Sequence, residues 1–242
     1  MVTSLTLHDE AVSSLDDRID SVRRRIADAA ARVGRDPESI TLLAAGKSVA
    51  TTTLLAAYLE GIRAFGESYV QEAIAKWSEI RSQMPESQLH LIGRLQTNKA
   101  AAAVNLFDLI ESVDSVRLGL AVAKRAVRAG RTVGVLLEVK LDSSQAKIGL
   151  SAGEVLAAQA ALAQVPGIQV RGLMGIAPYG GNPELSRSAF KQLAQLFGKL
   201  PAECRGILSM GMSGDFEVAI EEGATEIRIG TALFGSRTPR FH

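Results

Sequence analysis

Eight short apolar runs, alternating with segments of helical periodicity, constrain this chain more than any other feature. The runs read as strands at 41–46, 62–66, 88–93, 106–112, 133–140, 169–177, 206–210 and 226–230. Helical patterns lie between them at 52–60, 68–81, 97–103, 115–129, 151–163, 184–199 and 215–222. Consecutive parallel strands need helical crossovers, and eight such units close a (β/α)8 barrel. An open doubly wound sheet would use fewer units and a glycine-rich first turn. The first βα turn here is AAGKSVATTT, without that fingerprint. The expected fold is therefore α/β, a (β/α)8 TIM barrel. An extra N-terminal helix precedes it, with Val12, Leu15, Ile19, Val22 and Ile26 on one face and its end near Gly34. A length of 242 residues suits one barrel domain, expected over 1–242, with no linker composition anywhere.

Composition removes several classes of function. Lys+Arg total 27 against 26 Asp+Glu, a net charge of +1, so no nucleic-acid partner is expected. The single cysteine, Cys204, excludes an internal disulfide framework and a cysteine-built zinc site. The first residues, MVTSLTLHDEAVSSL, do not form a secretory leader, and no apolar run reaches about 18 residues. No membrane association and a cytoplasmic location are the expectations.

Barrel active sites lie at the C-terminal ends of the strands. Lys47 stands there after the apolar run TLLAAG. It reads either as a rim lysine reaching solvent or as an amine that attacks an aldehyde. The segment SMGMSGD, Ser209 to Asp215, and the pair Gly230 and Thr231 follow runs seven and eight. Those are the two loops that often form a phosphate site in such barrels, from free N–H groups and hydroxyls. Tight turns are the simpler reading of the same residues. Arg228 faces opposite to Ile227 and Ile229; pointing into a barrel interior it would be costly unless paired, so it reads as an ion-pair partner or as a permanent donor to a ligand. His90 alternates with Leu89 and Leu91 and reads as structural; His8 and His242 carry no motif, and Cys204 has no visible partner.

The blocks LLAAGKSV (42–49), FGESYVQEA (65–73), HLIGRLQTNKA (90–100), KIGL (147–150), VRGLMGIAP (170–178) and LSMGMSGDFEVAIEEGATEIRIGTALFG (208–235) run in order over nearly the whole chain. With them the chain resembles the pyridoxal phosphate homeostasis proteins, relatives of the N-terminal (fold-type III) barrel of alanine racemase. The resemblance implies a barrel that binds pyridoxal 5′-phosphate (PLP) as a Schiff base, an internal aldimine on Lys47. It assigns Ser209, Met212 and Ser213 to the phosphate cradle, with Gly230 and Thr231 completing it, and sets Arg228 against the pyridine nitrogen. Two departures stand out: Gly46 replaces a usual serine, and Ser68 replaces an asparagine that lies near the cofactor in the family.

An arginine only donates, so it disfavours a protonated ring nitrogen and weakens the cofactor's electron sink. A racemase of this type also needs a tyrosine base from an added β domain, which the sequence, running to His242, is expected to lack. Tyr179 is the one tyrosine near the expected barrel mouth. The implied function is binding and exchange of PLP in homeostasis, with PLP-dependent client enzymes as partners, a monomeric state and no catalytic residue. The alternatives are a small fold-type III racemase or lyase, and a barrel isomerase of a phosphorylated sugar.

Overall fold

In the computed structural model, residues 14–141, 148–178 and 182–235 are described. Eight strands form a closed parallel barrel in sequence order: β1 (Thr41–Ala45), β2 (Ala64–Glu67), β3 (Gln88–Leu91), β4 (Leu109–Val113), β5 (Val133–Lys140), β6 (Ile168–Ile176), β7 (Ile207–Met212) and β8 (Glu226–Ile229). β8 returns to β1, with Arg228 opposite Leu43. The helices α1 (Leu15–Arg32), α2 (Thr51–Leu59), α3 (Val70–Ile80), α4 (Ala100–Leu106), α5 (Val116–Arg128), α6 (Val155–Leu162), α7 (Arg187–Phe197), α8 (Phe216–Glu221) and α9 (Thr231–Phe234) complete it.

Local chemistry explains the elements. α1 begins at a capping box in which Ser14 and Asp17 satisfy each other's backbone N–H. It buries Ile19, Val22, Ile26, Ala29 and Ala30 and packs on α8 and α9. Arg25 fixes that packing, 2.6 Å from Glu217 and stacked over Phe216 at 4.5 Å. In α5 the Ser115 hydroxyl accepts from the Leu118 N–H, and Arg125 and Arg128 lie in the last turn, complementing the helix dipole.

The apolar core has two compartments. The larger lies between strands and helices and contains Phe65, Trp77, Phe107, Phe190 and Phe216. The smaller lies inside the barrel: Leu109, Leu136 and Met174, with Ile207 packed on them. Each such side chain contributes about 1.5–3 kcal/mol by leaving water.

The structure corrects three expected boundaries. The fourth apolar run, expected as strand from 106, is the end of α4 through Leu106 and becomes strand only at Leu109. The turn between them is pinned by Asp108, which accepts the Leu89 N–H at 2.8 Å. Ser68, expected to open a helix, lies in the loop before Val70. Run eight, expected without a following helix, leads directly into α9.

Candidate functional site

At the end of β1 the Gly46 N–H still pairs with the Gly66 carbonyl, at 2.8 Å. The chain then turns sharply. Ser48 has φ +61°, the one positive φ outside glycine among the described residues, and its N–H donates to Glu72 Oε1 at 2.7 Å. Left-handed backbone at a non-glycine residue costs about 1–2 kcal/mol, so the surrounding contacts hold this turn in place. Lys47, between them, is half-buried. Its Nζ stands 4.9 Å from the centroid of the Tyr69 ring and has no ion-pair partner among the described residues. Behind it, Lys76 donates to the Gly46 carbonyl at 2.6 Å and pairs with Glu67 at 2.6 Å and Glu72 at 3.1 Å. Burial pushes the Glu67 carboxyl above its usual range, against the pull of Lys76. Ser68 is half-buried next to this corner. Its backbone runs so close to Gly93 that a Cβ there would lie 2.2 Å from the Ser68 carbonyl oxygen.

The loops after β7 and β8 are tied together across the mouth. Ser213 Oγ accepts from the N–H groups of Gly230, at 3.3 Å, and Ala232, at 3.2 Å. Thr231 opens α9 and is exposed. The Met212 N–H is already taken by Asp215 Oδ1 at 2.7 Å, while Asp215 Oδ2 accepts from Ser186 at 2.9 Å. Gly211, φ +90°, makes the bend that swings Met212 and Ser213 to the rim, where the β7–β8 register shifts.

Ser209 does not reach the rim. It is wholly buried inside the barrel; its hydroxyl donates to Glu111 Oε2 at 2.6 Å and accepts from Arg228 Nη1 at 2.6 Å. The residue expected in the anion cradle is thus committed to the floor beneath it, because strand alternation turns it inward with Ile207. Arg228 also donates through Nη2 to the Gly175 carbonyl at 2.9 Å. Its remaining N–H groups have no protein acceptor among the described residues. Below Ser209, Glu111 Oε1 faces His90 Nδ1 at 2.9 Å, and Glu226 Oε2 faces the same nitrogen at 3.3 Å.

These three groups titrate unusually. Burial alone would neutralise His90, but bonds to Glu111 and Glu226 outweigh it and push the imidazole up to about 10. Burial also opposes the Glu111 charge, yet His90 and Arg228 bring its pKa below the usual range. Glu226, buried and next to the Glu111 charge, is driven toward its neutral form, and its Oε1 has no hydrogen-bond partner among the described residues. Higher in the barrel, on β5, burial and the Asp114 charge raise Glu138 to about 7.

The structure therefore brings Lys47, Ser213, Gly230 and Thr231 to one mouth, with Arg228 below. His90, expected to be structural, belongs to the buried charged floor. Cys204 is buried, its Sγ accepting from Gln159 at 3.5 Å, and burial raises its thiol pKa, which suits an inert residue. Tyr179 and Lys147 lie outside the described residues. Glu111, Glu226, Glu138 and Asp215 were not anticipated. A signal existed for three of them: a lone acid inside an apolar strand, as in LIESV, LLEVK and TEIRI. A cleft of about 690 Å³ opens at the other end of the barrel, lined by Arg23, Arg63 and Glu86 among others. Of its charged residues, Arg23 donates to the Glu60 carbonyl and Arg63 pairs with Glu86.

Residues 18–238 match the family described as alanine racemase, N-terminal domain. A protein of Aquifex aeolicus named pyridoxal phosphate homeostasis protein is 38% identical over 224 residues, 91% of this chain and 97% of its own length. One of Vibrio alginolyticus with the same name is 34% identical over 230 residues, 93% and 99% of the two chains. Among solved structures, PipY of Synechococcus elongatus, with PLP bound, superposes with a TM-score of 0.81 at 38% identity, covering 92% of this chain and 100% of PipY. Alanine racemase of Clostridium difficile shares the fold alone, with a TM-score of 0.66 at 14% identity over 91% of this chain and 58% of its own. Among the described residues no helix is long and apolar enough to cross a membrane.

Proposed function

The chain belongs to the pyridoxal phosphate homeostasis protein family, whose barrel is that of the alanine racemase N-terminal domain, and from this premise we propose that it binds PLP and serves its homeostasis, with no dedicated turnover reaction. The observation that carries the reading is the convergence at one mouth of an unpaired lysine, a hydroxyl-and-amide cradle and a buried guanidinium. These donors suit the ligand. Ser213 and Thr231 offer hydroxyls to a phosphate, and the Gly230 N–H, donating to Ser213 Oγ at 3.3 Å, holds the Ser213 hydroxyl in the cradle. Arg228 has spare N–H groups, and an arginine stays charged at any physiological pH. Bound PLP supplies an aldehyde that condenses with a primary amine, and we assign Lys47 Nζ to that covalent link.

The chain's own residues support this assignment. Lys76 makes the ion pairs with Glu67 and Glu72, while Lys47 acts on Glu72 only through its field and holds no ion pair among the described residues. Tyr69 provides a flat apolar wall beside it. Ser68 stands at the same corner in place of the family's asparagine. PLP-dependent enzymes that receive the cofactor are the partners this function requires.

The test is the absorption spectrum of the protein with PLP, before and after borohydride, followed by peptide mapping of the reduced adduct. The expected adduct is on Lys47, and Lys47→Ala abolishes it. An adduct of full occupancy in that variant would sink the assignment.

A further inference from the structure

We propose, resting on the cofactor reading above, that Glu111 and His90 are positioning residues for Arg228. The Glu111 carboxylate, acting through the Ser209 hydroxyl, aims the guanidinium at the ring nitrogen of bound PLP, and His90, 2.9 Å from the other carboxylate oxygen, holds that carboxylate in place.

The geometry is a single chain of contacts. His90 Nδ1 meets Glu111 Oε1 at 2.9 Å, Glu111 Oε2 accepts from Ser209 Oγ at 2.6 Å, and Ser209 Oγ accepts from Arg228 Nη1 at 2.6 Å. All four side chains are at most 5% exposed, so no solvent substitutes for a missing partner. An arginine has several rotatable bonds and, held only by the Gly175 carbonyl, would swing about that contact. A second acceptor on the neighbouring strand fixes the plane of the guanidinium.

Ser209 cannot be that acceptor unaided. A hydroxyl has one hydrogen, and it accepts cleanly from Arg228 only when that hydrogen is directed elsewhere. Glu111, on the far side of Ser209, takes it. The polarity of the contact therefore depends on Glu111 being an acceptor on that side. A neutral acid or an amide could turn a donor toward Ser209 and reverse the hydroxyl.

An isolated carboxylate at this depth would be neutral. His90 and Arg228 supply the compensating charge. A cation between His90, Glu111 and Glu226 is the other arrangement their ligand atoms would allow, since these lie within 4.8 Å of one another. A shared proton already accounts for the 2.9 Å approach, and the fixed charge of Arg228 next to it disfavours a further cation.

The test compares PLP with its analogue carrying CH in place of the ring nitrogen, by equilibrium dialysis. The phosphate and aldehyde are common to both ligands, so the change in the ratio of their dissociation constants between the unmutated chain and a variant reads the contact from Arg228. The unmutated chain is expected to prefer PLP by on the order of 10-fold, the size of one charge-assisted hydrogen bond. In Glu111→Gln and Ser209→Ala the ratio is expected to fall toward one, with the analogue's own affinity changing by less than about threefold. Ser209→Ala deletes only one buried oxygen and carries the test if Glu111→Gln does not fold. A ratio that stays at its unmutated value in a folded variant, with both ligands weakened alike, marks a structural role and overturns the proposal. A native chain that binds both ligands equally overturns it too, while leaving the cofactor reading intact. A native chain that binds neither overturns both.

Discussion

Lys76 Nζ donates to the carbonyl of Gly46 at 2.6 Å, one residue before the lysine assigned to the cofactor. The same ammonium neutralises Glu67, which is 1% exposed. Lys76→Met is expected to cost about 3–5 kcal/mol, because it strands a buried carboxylate. The melting temperature should fall by roughly 10 °C. Glu67→Gln in the same chain should restore most of that stability. PLP affinity should stay reduced in the double variant, since the Gly46 carbonyl has still lost its anchor. Calorimetry and a PLP titration on the two variants check both parts.

His90 should make the protein less stable in alkali. Its folded pKa, about 10, lies above the ordinary histidine value of 6.5. The charged imidazole therefore contributes fully below about pH 6.5, and its contribution is lost as pH rises toward 10. Urea midpoints measured across this range should decline for the unmutated chain. His90→Gln should be less stable at pH 7 by several kcal/mol, on the order of what breaking a buried pair costs, and nearly flat over the same window.

Glu138 governs a different window. Its folded pKa, about 7, is above the ordinary glutamate value of 4.5. Between these two pH values the folded chain holds a proton that the unfolded chain has released, so stability falls as pH rises from about 4.5 to about 7. Glu138→Gln should remove that fall and be more stable than the unmutated chain at pH 8 by on the order of 2–3 kcal/mol. Equal slopes in the two proteins between pH 4.5 and 7 would contradict the raised pKa.

Gly211 and Gly130 separate backbone strain from crowding. Both have positive φ, +90° and +64°. A Cβ on Gly211 would lie 2.6 Å from Ala219 Cβ and 3.0 Å from Phe216 Cα, whereas nothing lies within 4 Å at Gly130. Gly130→Ala should cost about 1 kcal/mol, the backbone part alone. Gly211→Ala should cost about 2–4 kcal/mol and weaken PLP binding, because the bend that carries Ser213 to the rim is forced to move. Equilibrium unfolding of both variants decides it.

The strands were legible because buried parallel strands appear as apolar runs, and Lys47 and Arg228 were legible because each breaks such a run. Leu106 shows the limit. A helix end and a strand start were both apolar, so one run covered two elements. Ser209 shows another. Spacing grouped it with Ser213, but facing is set by the bend at Gly211 and by the register with β8. The floor was hidden for a related reason. His90, Glu111, Ser209, Glu226 and Arg228 come from β3, β4, β7 and β8, and only closure of the barrel makes them neighbours.

The apolar plug of Leu109, Leu136, Met174 and Ile207 inside the barrel makes the molecule a cup with one lip rather than a tube. A cargo at the mouth has to depart by the path on which it arrived. Loading and unloading then share one bottleneck, so a substitution that narrows the lip slows both rates together. Such a change would leave the resting occupancy untouched while starving a recipient of supply. Equilibrium titrations would miss that defect, and only transfer kinetics would expose it.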